Sequence, residues 1–111
     1  MNARFNEIHD AQELETLFEK SFEAPVALFK HSLTCPISAD AYHRIAQADA
    51  EINIVIVQHA RNVSNAIAEK TGIRHESPQT IVLKDGEAIY HASHYSIEAE
   101  KISEKLKVKS E

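Results

Sequence analysis

The amino-acid sequence predicts an α/β domain in which a central mixed four-stranded sheet is flanked by helices, in the order α-β-α-β-α-β-β-α. Short aliphatic runs, "VALFK" at 26–30 and "INIVIV" at 52–57, alternate with segments whose apolar residues recur every three or four positions. A Lys84-Asp85-Gly86 turn joins two further strand-like runs. Two glycines and three prolines in 111 residues leave most of the chain free to enter regular elements. A chain of this length has room for one core, so residues 1–111 are read as a single domain.

The first helix is expected over about 11–20. Asp10 and Glu13 have capping-box spacing, and Leu14, Leu17 and Phe18 then fall on one face. Pro25 closes that region, and "VALFK" reads as a strand covered on both sides. From Pro36, Ile37, Ala41, Ile45 and Ala48 recur at helical intervals and give a second helix of about three turns. "INIVIV" is the next strand, and Val63, Ala66 and Ile67 define a helix over 62–72 that Gly72 stops. "TIVL" at 80–83 and "EAIYHAS" at 87–93 form a hairpin, because Asp-Gly accepts the positive φ angles of a tight turn. Tyr95, Ala99, Ile102 and Leu106 mark a closing amphipathic helix. Two βα crossovers require parallel pairing, and the hairpin adds antiparallel pairing.

Charge narrows the function classes. A net charge of −5 offers no basic stripe for a nucleic-acid backbone, and Lys101, Lys105, Lys107 and Lys109 are interleaved with glutamates as on a solvated helix face. No stretch approaches the roughly 18 apolar residues of a membrane span, and the N-terminus has no signal-like apolar run. A cytoplasmic protein without nucleic-acid or membrane partners is expected. Seven histidines raise a metal reading, with His91 and His94 near His75. Strand residues three apart point to opposite faces and only one cysteine is available, so no metal site is expected.

That cysteine, Cys35, cannot form an internal disulfide, and it serves either packing or chemistry. If the second helix begins at Pro36, Cys35 is its N-cap and Ser38 its third residue; proline suits the first position because it has no N–H to leave unpaired. The sulfur would then face the free amides of Ile37 and Ser38 at the positive end of the helix dipole, which favours thiolate over thiol. Ser38 could donate a hydrogen bond to that thiolate. His31, four residues earlier, could assist by charge or proton transfer, or lie exposed in a loop. Ser77-Pro78 directly precedes a core strand, where a missing N–H restricts proline. The trans form is the default for such a bond and the cis form stays open.

These residues carry a resemblance. Helix, strand, Cys35-Pro36-Ile37-Ser38, helix, strand, helix, then "TGIRHESPQTIVLKDGE" resembles the thioredoxin fold over nearly the whole chain, with Pro78 at the position of that fold's cis-proline. More narrowly, "KHSLTCPIS", "IRHESPQ" and "HASH" are similar to the bacilliredoxins of the bacillithiol-system (YtxJ-like) family. The resemblance implies a monothiol disulfide oxidoreductase that removes bacillithiol from mixed disulfides on oxidised proteins, with Cys35 as nucleophile. It implies no bound cofactor, bacillithiol as co-substrate, S-bacillithiolated proteins and the bacillithiol-reducing system as partners, and a monomer. Ser77 and Pro78 would offer strand-like backbone to the substrate. Ser38 stands where thioredoxins keep the resolving cysteine, and Phe29 where they keep a buried acid, so a dithiol mechanism is not implied. Two other readings stay open. One is a monothiol glutaredoxin-like iron–sulfur protein, whose Cys-Gly-Phe-Ser signature differs at Pro36 and Ile37. The other is a non-catalytic thioredoxin-like adaptor with an incidental cysteine.

Overall fold

The computed structural model describes residues 2–107. Its elements run β1 (Arg4–Glu7), α1 (Ala11–Lys20), β2 (Val26–His31), α2 (Pro36–Ile45), β3 (Glu51–Ile56), α3 (Arg61–Thr71), β4 (Gln79–Lys84), β5 (Glu87–Ser93), a 3-10 turn (His94–Ser96) and α4 (Ala99–Leu106). The sheet has five strands, not four, in the order β1-β3-β2-β4-β5. β1 and β2 both run parallel to β3, β4 runs antiparallel to β2, and β5 antiparallel to β4.

β1 is the strand the sequence does not announce. "RFNE" holds one strong apolar residue, and as an edge strand half its side chains face solvent. Its place is set by the ladder that pairs Arg4 to Glu7 with Glu51 to Ile54. The final helix also differs from expectation: it begins at Ala99, and Tyr95 lies in the preceding turn, 72% exposed, while Ile97 takes the buried position.

Local chemistry accounts for the elements that were foreseen. Asp10 accepts the Glu13 N–H at 2.8 Å and caps α1, and Glu13 reaches back to the His9 N–H at 2.9 Å. Asp85 and Gly86, at φ 53° and 78°, form the hairpin turn, and the positive φ at Gly86 favours glycine there.

The sheet separates two cores. α1 and α3 cover one face with Leu14, Leu17, Val63 and Ile67 against Leu28 and Val55. α2 and α4 cover the other, with Ala41, Ile45 and Ile102 against Phe29, Ile52 and Ile54. Because successive strand residues alternate faces, β2 sends Lys30 to the α1/α3 side and His31 to the α2/α4 side as it reaches the end of the sheet. Both remain buried.

Candidate active site

β2 ends at His31, and four residues later Cys35 stands as the N-cap of α2, in extended conformation, with Pro36 at the first helical position. The thiol is half-buried and free. Its sulfur makes no capping hydrogen bond with the amides of Ile37 and Ser38 that it was expected to face.

Ser38 and His31 also hold different posts from those expected. The Ser38 side chain is fully buried; its oxygen accepts the Ser32 N–H at 2.9 Å and lies 2.7 Å from His31 Nδ1. Burial pushes the His31 pKa below the ordinary histidine value, and Nδ1 of the ring is hydrogen-bonded to the Ser38 hydroxyl. His31 is a strand residue, not an exposed loop residue, and its ring packs between Phe29 and Tyr42 at centroid distances of 5.4 and 5.3 Å. What these residues do together is fix the loop leading into the cysteine. Ser38→Ala would strand the Ser32 N–H and His31 Nδ1, and a loss of about 1 to 3 kcal/mol is expected in chemical denaturation.

The same loop is held from its other side by Gln58. Its Oε1 accepts the Leu33 N–H at 3.1 Å, and its Nε2 donates to Ser32 Oγ at 2.9 Å. Sequence reading missed Gln58, which lies just past the end of β3 after Val57 and carries no motif. It also missed Arg44 of α2, which donates to the Ile97 and His94 carbonyls and anchors the turn after β5.

Ser77-Pro78 joins the site from the neighbouring strand. The bond is cis. Antiparallel pairing sets Lys30 opposite Gln79, so Pro78 comes level with the end of β2, at the edge from which the Cys35 loop departs. The Pro78 carbonyl accepts the His94 N–H at 3.0 Å. No hydrogen bond among the described residues uses the Ser77 backbone, and Ser77 Oγ is buried without a partner.

Three further residues, Lys30, Ser64 and His75, meet next to Ser77-Pro78. Lys30 Nζ, on a residue only 1% exposed, sits 3.1 Å from Nδ1 of His75, and Ser64 Oγ of α3 is 3.0 Å from the same nitrogen. Burial lowers the Lys30 pKa to about 8. The signal was present in "VALFK", where a lysine closes an apolar run whose strand is buried on both faces.

The chemistry available at this end of the sheet is that of one reachable thiol on a braced loop beside an unpaired stretch of backbone. Comparison with known proteins points the same way. The family model described as monothiol bacilliredoxin BrxC matches residues 6–102. A protein described as a candidate oxidoreductase with a thioredoxin fold is 32% identical, covers 90% of this chain and 91% of its own, and superposes with a TM-score of 0.82. Thioredoxins from Schistosoma mansoni (21% identity, 94% of each chain, TM-score 0.68) and Fasciola hepatica (16%, 91% of this chain and 95% of that one, TM-score 0.68) share the fold. The chain thus belongs to the monothiol bacilliredoxin BrxC family, thiol oxidoreductases built on the thioredoxin fold.

Proposed function

We propose that this protein removes bacillithiol from mixed disulfides on oxidised cytoplasmic proteins, acting as a monomer with Cys35 as nucleophile. The observation that carries the reading is the state of Ser38. At the position from which a resolving thiol would act there is a buried hydroxyl committed to Ser32 and His31, so the second sulfur has to come from outside the chain.

The Cys35 thiolate attacks the bacillithiol sulfur of the mixed disulfide. A new disulfide forms between Cys35 and bacillithiol, the old one breaks, and the client leaves as a thiolate that takes a proton from water. A second bacillithiol thiolate then attacks the adduct, yields bacillithiol disulfide and restores Cys35, and the reducing system returns that disulfide to two thiols. The unpaired Ser77 backbone supports the client segment in strand fashion during the first step.

The test is intact-mass spectrometry of the reduced protein with one cysteine peptide capped in turn by bacillithiol, glutathione and coenzyme A. Faster appearance of the bacillithiol adduct than of the other two supports the reading. Equal rates would leave a monothiol oxidoreductase that recognises only the sulfur, and no adduct from any cap refutes the proposal.

A further inference from the structure

We propose that His75, oriented by Lys30 and Ser64, recognises an anionic hydrogen-bond acceptor, such as a carboxylate, on the low-molecular-weight thiol that Cys35 takes up. The proposal rests on the monothiol exchange reading and adds a substrate class to it.

Lys30 is the starting point. A cation this deeply buried is ordinarily paired with a carboxylate, yet no salt bridge to Lys30 exists among the described residues, and its one hydrogen-bond partner is an imidazole. An ammonium group can only donate, so Nδ1 of His75 accepts from Lys30, and the Ser64 oxygen lies 3.0 Å from the same nitrogen. With Nδ1 engaged as acceptor, the proton of the neutral ring is on Nε2. Burial, then the charges of Lys30 and Arg61, keep the His75 pKa below its ordinary value, with Glu76 partly opposing, so the neutral tautomer is the form present near neutral pH.

His75 itself is exposed, and Nε2 makes no hydrogen bond among the described residues. The ring is thus a donor held from behind and open in front, on the loop that carries Ser77-Pro78. Its surroundings are cationic in an acidic chain: Lys30 beneath, Arg61 on the first turn of α3 and Arg74 next in sequence, against Glu76. Two unpartnered buried polar atoms, Ser77 Oγ and Gln79 Oε1, belong to the same loop and the strand it enters, and the Gln79 amide is fixed by donating to the Arg74 carbonyl at 3.1 Å. An outward N–H backed by positive charge selects an acceptor bearing negative charge, and a charge-assisted bond of this kind is worth about tenfold in rate or more.

The experiment caps one cysteine peptide with mercaptosuccinate (anionic), mercaptoethanol (neutral) or cysteamine (cationic) and follows adduct transfer to Cys35 by intact mass at low ionic strength. The wild type is expected to take mercaptosuccinate about tenfold faster than mercaptoethanol, with cysteamine slowest. His75→Ala and Lys30→Met are each expected to bring the mercaptosuccinate-to-mercaptoethanol ratio to within about twofold of unity, a change in selectivity that a general loss of stability would not produce. A wild type indifferent to the cap, or a ratio that survives in His75→Ala, overturns the proposal while transfer itself upholds the exchange reading. Transfer from none of the three caps overturns both.

Discussion

Cys35→Ala is expected to abolish uptake of a small thiol from a mixed disulfide, at least a thousandfold below wild type, with no measurable loss of stability. Cys35 is the only cysteine in the chain, so no second sulfur can sustain a residual rate. Stability should be spared because the sulfur is half-buried and makes no capping bond to α2, which leaves nothing structural to lose. Cys35→Ser sharpens the prediction. A serine oxygen at the N-cap can accept an amide from the first turn of the helix, which typically adds about 0.5 to 1 kcal/mol. The serine variant should therefore melt above wild type while remaining inert. Intact mass after incubation with the capped peptide and a thermal melt of the same samples decide the matter. Adduct on either variant would remove Cys35 from the centre of the proposed function.

Lys30→Met should stabilise the protein at neutral pH, by about 2 kcal/mol after allowing for water that reaches the amine around His75. The Lys30 pKa is pushed down to about 8 from 10.5 by burial. Below pH 8 the amine is protonated in the folded and the unfolded chain alike, so it adds no pH slope and the full cost of burying the cation is present. Between about 8 and 10.5 the unfolded chain holds a proton that the folded chain lacks, and stability rises with pH. Above that window the amine is neutral in both states and the cost is gone. The gap between Lys30→Met and wild type, measured by denaturant unfolding, should accordingly be widest at pH 7 and close toward pH 10.5. A gap that does not change with pH would mean the lysine is not buried as a cation. Retention of a residue that lowers stability suits a role in function, and the tenfold loss of selectivity expected from the same substitution is the other side of that exchange.

The fold was legible wherever a local rule had a local cause. Asp10 and Glu13 announced α1, Pro36 announced the start of α2 with Cys35 ahead of it, and Asp85-Gly86 announced the hairpin; each depends on residues within four positions of one another. β1 was not legible, because one phenylalanine in "RFNE" sets up no alternation and only the ladder to β3 makes those residues a strand. Tyr95 continued a helical spacing toward Ala99 and Ile102, yet the chain turns sharply at His94, where φ is +55°, and the helix starts later. At the site, the position of Cys35 could be read, whereas the partners of Ser38 and His75 could not. Ser38 meets His31 seven positions away, and His75 meets Lys30 across 45 positions. Hydrogen bonds over such separations follow from how strands are paired, which no spacing rule anticipates.

The double engagement of Ser38 bears on how such a chain could change over evolutionary time. A serine-to-cysteine change needs a single nucleotide, so a dithiol ancestor or descendant looks one step away. In this molecule the oxygen is seated in a dry recess, between an amide and an imidazole that both depend on it. A sulfur there is larger and a far weaker acceptor, so it would loosen the loop ahead of Cys35 before it could act on it. Return to a self-sufficient pair of thiols would require His31 and Ser32 to be released as well. Under the proposed function, a lineage with this arrangement is therefore buffered against drifting out of dependence on an external thiol.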